Sequence, residues 1–166
     1  TMGFLRKIRP YIILVLKPVI EFIINKRVRE NFIYFYFLKK SKVKKNTFLL
    51  ESYHASNTTG NVYALFQKLI EENPEGTYFW VDTKKNKNLM LKYLRRKNVK
   101  IIEYESIKYY RMLAKCEYVI NDTSFMPYFV KKDGQIYINT WHGTPLKTLG
   151  KDIKNMSVDD LFKVTE

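Results

Sequence analysis

Apolar residues follow two different rhythms along this chain, and the change comes after Lys45. Beyond it, five short runs have the length and the aromatic and β-branched content of buried strands: 47–51 (TFLLE), 77–82 (TYFWVD), 99–104 (VKIIEY), 117–122 (EYVIND) and 135–141 (QIYINTW). The segment VYALFQKLIEEN sets Val62, Leu65, Phe66 and Leu69 on one face of a helix, which Pro74 and Gly76 end. Residues 87–97 (KNLMLKYLRRK) and 106–115 (SIKYYRMLAK) also read as amphipathic helices. SFMPYFV, 124–130, reads as a short irregular or helical piece, and KKDG, 131–134, as a turn. Strands alternating with helices predict right-handed βαβ units, hence an α/β fold with a Rossmann-like, mostly parallel sheet. Ligands of such sheets bind beyond the carboxyl ends of the strands. Three loops then become the place to look for chemistry: 52–60, 122–126 and 141–145.

Before Asn46 the rhythm is coarser. PYIILVLKPVIEFII, 10–24, is strongly apolar but is interrupted by Lys17, Pro18 and Glu21. A membrane span needs about 20 apolar residues, and this run is too short and too broken. It lacks a small-residue cleavage site, so it does not read as a secretory signal. FIYFYFL, 32–38, follows, and then the basic cluster KKSKVKK, 39–45. Aromatic runs flanked by Lys and Arg suit helices lying in a membrane interface, with rings at headgroup depth and cations against anionic lipid. Residues 1–45 are therefore expected to form a membrane-associating segment, and 46–166 a Rossmann-like lobe. A helical hairpin packed on another part of the protein and a spanning helix are the alternatives.

Charge sharpens this division. The formal net charge is +14, and residues 1–50 carry twelve basic against two acidic side chains. An anionic partner follows: a membrane surface, a nucleic acid or a phosphorylated substrate. No RNP-like, helix-turn-helix or finger pattern supports nucleic acid. The single cysteine, Cys116, excludes an internal disulfide and fits a reducing, cytosolic setting. No grouping of Cys, His and carboxylates has metal-ligand spacing.

The richest chemistry stands after the last predicted strand. His142 follows it directly, Gly143 permits a sharp turn, and Thr144 with Pro145 has the form of a helix N-cap and first helical residue. That places an imidazole beside a helix N-terminus able to hold an anion, with Lys147 nearby. A neutral His is a natural general base near pH 7, and a structural turn residue is the competing reading. In the loop after the first strand, His54 stands among Ser52, Ser56, Asn57, Thr58 and Thr59, which suits either a phosphate or hydroxyl contact or an ordinary solvated loop. Neither GxGxxG nor a Walker-type motif is present. Asp122, in NDTS at the end of the fourth strand, could act as acid, base or hydrogen-bond partner, or cap the next segment.

GQIYINTWHGTPLKTLGKDI, 134–153, resembles the signature of the CDP-glycerol glycerophosphotransferases, bacterial enzymes that prime or polymerise teichoic acid. VINDTSFMPYFVKKDGQ, 119–135, and LLESYHASNTTGNVYALF, 49–66, are similar to the same family, so the resemblance covers roughly 47–153. It implies one lobe of a GT-B-like fold and attachment to the cytoplasmic face of the membrane without spanning it. It implies that His142 is a catalytic base. By this resemblance His142 deprotonates a glycerol hydroxyl of a lipid-linked acceptor, which attacks the β-phosphorus of CDP-glycerol and releases CMP. Gly143, Thr144, Lys147, Ser52, His54 and Asp122 are the expected substrate-binding residues. No cofactor or essential metal is implied, and no nucleic acid.

Two departures from the family pattern stand out. Ala55 and the pair Asn61-Val62 occupy positions where the family usually has glycine and Asn-Pro. The chain also stops at Glu166, before the family's donor-binding lobe, so these residues alone are expected to be inactive. A transferase using CDP-ribitol or another polyol, and a non-catalytic membrane- or polymer-binding lobe, are the alternative readings.

Overall fold

A computed structural model of the chain describes residues 2–83 and 96–141. Its elements run α1 (Met2–Ile24), α2 (Lys26–Lys40), β1 (Lys44–Glu51), α3 (Gly60–Glu72), β2 (Thr77–Asp82), β3 (Val99–Glu103), α4 (Ile107–Leu113), β4 (Cys116–Asn121) and β5 (Ile136–Asn139). The strands form one sheet in the order β3-β2-β1-β4-β5, and every neighbouring pair is parallel. The α/β architecture expected from the apolar rhythm is the one observed. The helix expected over 87–97 falls largely outside the described residues, and residues 96–98 turn into β3.

Successive side chains of a strand point to opposite faces, and the apolar strands use both. Phe48 and Leu50 of β1 face α3 and join Val62, Phe66 and Ile70 with Trp80 of β2. Leu49 points the other way, into a core with Tyr34 of α2 and Tyr109 and Leu113 of α4. A row of rings crosses the α3 face: Phe48 stacks on Tyr78 at 4.9 Å and on Tyr118 at 4.6 Å between centroids. Such pairs on adjacent strands help fix the register.

Expected and observed strands differ at their ends. β1 begins three residues early, because Lys44 pairs with Cys116 through the backbone while its side chain stays exposed. β5 ends at Asn139 rather than 141, because Trp141 adopts a left-handed φ of 51° that no strand accommodates.

The N-terminal helices differ from each other. Asn25 separates them and caps α2, its side chain accepting from the Arg27 N–H at 3.0 Å. α2 docks on the sheet: Tyr34 is fully buried and its hydroxyl donates to the Val130 carbonyl at 2.7 Å. Lys132 reaches back to the orphan carbonyls of Leu38 and Ser41 at the end of α2. The core thus extends across the compositional boundary near residue 45. α1, which contains Pro10 and Pro18, leaves Leu14 at 73% and Ile24 at 75% exposure. Among the described residues no helix is long and apolar enough to cross a membrane.

Candidate active site

After β1 the chain crosses to β2 on one side, and later returns to place β4 on the other. The loops leaving β1 and β4 therefore diverge, which opens a crevice at the carboxyl edge of the sheet. Two of the expected site residues meet there. The Ser52 hydroxyl lies 2.7 Å from Asp122 Oδ2, and the Tyr53 N–H donates to Asp122 Oδ1 at 2.8 Å. Ser52 also lies 3.1 Å from the Thr59 carbonyl, but its one proton goes to the nearer, charged acceptor. Ser52 and Asp122 are both buried, so their bonds fix the floor where the two loops separate.

The loop after Ser52 is tightly wound. Tyr53, His54 and Ala55 take left-handed φ angles of 47°, 50° and 60° in succession. Non-glycine residues avoid this region at a cost of about 1–2 kcal/mol each. Backbone bonds hold them there: the Ser56 N–H donates to the Tyr53 carbonyl at 3.0 Å, and the Thr83 N–H to the Ala55 carbonyl at 3.2 Å. The family resemblance places glycine at the position of Ala55, and the left-handed φ of 60° found there is one that glycine adopts without strain. The turn lifts His54 onto the rim with its side chain 53% exposed.

Beneath the rim lies a residue that reading of the sequence passed over. Glu51 ends β1 fully buried, and the Tyr109 hydroxyl donates to its Oε2 at 2.7 Å. Burial pushes its carboxyl up to about 8, against the Tyr109 hydrogen bond and with help from the charges of Asp122 and Glu105. The carboxyl is therefore largely protonated near neutrality. Its Oε1 lies 3.9 Å from His54 Nδ1, beyond hydrogen-bond reach. The available signal was a carboxylate closing an otherwise apolar strand. Beside His54, a cavity of about 290 Å³ is also lined by Arg27, Glu30, Glu105, Ser124 and Tyr128.

β5 brings the third loop to the same edge. The Tyr137 hydroxyl donates to Asn121 Oδ1 at 3.0 Å, and the Thr140 N–H to the Asn121 carbonyl at 2.8 Å. Asn139 accepts from the Trp141 N–H at 2.9 Å and donates to the Thr123 carbonyl at 2.6 Å. Asn61, at the start of α3, donates to the Trp141 carbonyl at 2.8 Å. Residues after β1 and β4 thus bond to the segment 139–141 that leads into His142. His142, Gly143, Thr144 and Lys147 themselves lie outside the described residues.

Residues 32–164 match the family described as CDP-glycerol:poly(glycerophosphate) glycerophosphotransferase. The chain belongs to that family. It is 26% identical over 139 residues to a teichoic acid poly(glycerol phosphate) polymerase of Staphylococcus epidermidis, covering 84% of this chain and 19% of that protein. It is 28% identical over 134 residues to a teichoic acid glycerol-phosphate transferase of Staphylococcus aureus, covering 80% of this chain and 33% of that protein. The chain therefore spans a third or less of the length of these relatives. In three dimensions it is similar to the wall teichoic acid polymerase TagF, with a TM-score of 0.68 at 24% identity over 91% of this chain and 36% of that one. Against TagF soaked with CDPG the TM-score is 0.70 at 23% identity, again over 91% of this chain and 36% of the other. At such identities the likeness establishes the fold, a Rossmann-like lobe of the GT-B-like kind.

Proposed function

We propose that this chain is the acceptor-side lobe of a transferase that moves glycerol phosphate from CDP-glycerol to a lipid-linked acceptor in teichoic acid synthesis. Membership of the glycerophosphotransferase family supports the reaction class. The observation that carries the reading is the fixing of the segment 139–141 that leads into His142: Asn61 and Asn139 bond Trp141, while Asn121 at the end of β4 and Thr123 after it bond Thr140 and Asn139. A base must be held within hydrogen-bond reach of the hydroxyl it activates, and a fixed backbone immediately before it serves that need.

In the mechanism, His142 accepts the proton of a terminal glycerol hydroxyl. That oxygen forms a bond to the β-phosphorus of CDP-glycerol, the bond from that phosphorus to the bridging oxygen breaks, and CMP leaves. Gly143, Thr144 and Lys147 meet the phosphates. Ser52 and Asp122 hold the crevice floor, and His54 reaches the acceptor from the rim. The protein works at the cytoplasmic face of the membrane as a peripheral protein. The exposed apolar side chains of α1 and the basic excess of residues 1–50 support this.

The test is CMP release from CDP-glycerol with a lipid-linked glycerol-phosphate acceptor, using the intact protein and its His142→Ala variant. General-base catalysis supplies about 10²–10⁴-fold, so the variant is expected to lose at least two orders of magnitude. An undiminished rate would return His142 to the role of a turn residue. Turnover of a different activated polyol alone would keep the reaction class and replace the donor.

A further inference from the structure

Three neighbouring hollows that share lining residues form a groove past α2 and α4 on the side of the lobe, and its character changes from one end to the other. At one end it is lined by Phe22, Phe32, Ile33, Tyr36, Phe37 and Ile107, with a volume of about 300 Å³. Phe32 and Ile107 there are 62% and 65% exposed. Tyr36 and Phe37 also line the next stretch, of about 340 Å³, where Lys40, Lys42, Arg111 and Lys115 enter. Arg111 and Lys115 carry over into a third stretch of about 280 Å³, joined by Lys44, Lys100 and Lys108. Ile107, Arg111 and Lys115 are spaced four residues apart, so the transition follows one side of α4 and its continuation.

No carboxylate among the described residues lines any of the three stretches. Among the described residues the ion-paired lysines are Lys26, Lys45 and Lys68, none of them in the groove. Of the carbonyls that would oppose an anion at the ends of α2 and α4, those of Leu38 and Ser41 are engaged by Lys132 and that of Leu113 by Gln135. The basic stretches include Lys44, Lys100 and Lys115, at the starts of β1, β3 and β4. They therefore lie at the opposite edge of the sheet from Asp122 and Trp141, and the candidate active site does not account for them.

We propose that this groove binds a single anionic phospholipid, its acyl chain along the aromatic stretch and its phosphate among Lys40, Lys42, Arg111 and Lys115. A free phosphate would use the cations but leave the apolar stretch exposed to water. A zwitterionic lipid would fill the apolar stretch, yet its cationic headgroup would meet a basic cluster that no carboxylate among the described residues offsets. Only an anionic amphiphile satisfies both ends. The groove's apolar end includes Phe22 of α1, so the bound lipid is continuous with the exposed apolar side chains of that helix. This inference concerns binding and stands apart from the transferase reading.

The test is calorimetric titration of the protein with dihexanoyl phosphatidylglycerol, dihexanoyl phosphatidylcholine and inorganic phosphate, the lipids kept below micelle formation. Arg111→Glu/Lys115→Glu is compared with Lys68→Glu/Lys97→Glu, which changes net charge equally on residues outside the groove, and Ile107→Asp probes the apolar end. Circular dichroism checks that each variant is folded, and Arg111→Gln/Lys115→Gln replaces the charge reversal if that one is not. The anionic lipid is expected to bind at least about tenfold more tightly than either comparison ligand. The groove double variant is expected to lose about tenfold or more, Ile107→Asp severalfold, and the control pair little. Equal loss in the control pair would reduce the effect to overall charge and overturn the site. Phosphate binding as tightly as the lipid, or Ile107→Asp binding normally, would overturn the lipid assignment.

Discussion

Asn61 and Trp141, 80 residues apart in sequence, are joined by a 2.8 Å hydrogen bond from the Asn61 amide to the Trp141 carbonyl. That carbonyl belongs to the peptide unit leading into His142. Asn61 opens α3 on the loop after β1, while Trp141 ends the described run after β5. The bond therefore ties the first loop of the crevice to the last.

Replacing Asn61 tests this tie. Asn61→Ala is expected to lower the rate of CMP release by about 10- to 100-fold, because small displacements of a catalytic group are costly. The loss of stability should be only about 1 kcal/mol, since a single partly exposed hydrogen bond is removed. Asn61→Asp should behave alike, because an ionised carboxylate cannot donate to a carbonyl. Transfer rates and urea unfolding measured side by side separate the two effects. An unchanged rate in both variants would mean that Trp141 is held adequately without Asn61.

Ser52 and Asp122 form the second tie, between the loops after β1 and β4. Asp122→Ala takes the buried acceptor from the Tyr53 N–H and leaves the Ser52 hydroxyl only the Thr59 carbonyl, and should cost roughly 2–3 kcal/mol. Ser52→Ala should cost about 1 kcal/mol. Because the two side chains touch, the double variant should be less damaging than the sum by about 0.5–2 kcal/mol. Simple additivity in denaturant unfolding would show that the two act independently.

The legibility of this molecule in its sequence follows the range of the interactions involved. The five strands were visible as apolar runs because a parallel sheet covered on both faces demands them. Their ends were less visible. β1 extends through Lys44 on backbone pairing and Lys45 on its bond to Glu117 of β4, and β5 stops where Trp141 turns left-handed. Ser52, His54 and Asp122 could be placed at the correct edge from strand order and loop composition. That Ser52 and Asp122 bond to each other depends on β1 lying beside β4, a pairing across 70 residues that no local pattern encodes. Glu51 reads in the sequence only as the polar end of a strand, and the role of Asn61 depends on a backbone carbonyl far along the chain. The docking of α2 was hidden by composition, since a basic, aromatic helix suits a membrane as well as it suits a sheet.

That docking gives a further prediction. Tyr34→Phe removes the hydroxyl that Val130 depends on and should cost about 1 kcal/mol. Tyr34→Ala empties a fully buried ring position and should cost roughly 3–5 kcal/mol. In the alanine variant, trypsin is expected to cut earlier at Lys39 and Lys40, before the sheet is digested. If cleavage there is as slow as in the wild type, Tyr34 is not what holds α2 in place.

Glu51 sets how stability depends on pH. Its carboxyl moves from an ordinary value of 4.5 to about 8 on folding, chiefly through burial. Between those values the folded protein holds a proton that the unfolded chain has released, so stability falls as pH rises through that window. The contribution is fully present below about 4.5 and is lost once pH passes about 8. A shift of this size corresponds to a few kcal/mol, roughly 1.4 for each pH unit. Glu51→Gln keeps an oxygen to accept from Tyr109 but has no charge to bury. The two proteins should therefore be equally stable near pH 4.5, and the glutamine variant more stable by about 2 kcal/mol or more near pH 8.5. Taking the difference between the two unfolding curves cancels the titrating groups that do not interact with Glu51, among them Glu117, which Lys45 holds below the usual carboxylate range. Parallel curves from pH 4.5 to 8.5 would mean that Glu51 ionises freely in the folded protein, and that the carboxylate beneath His54 is charged after all.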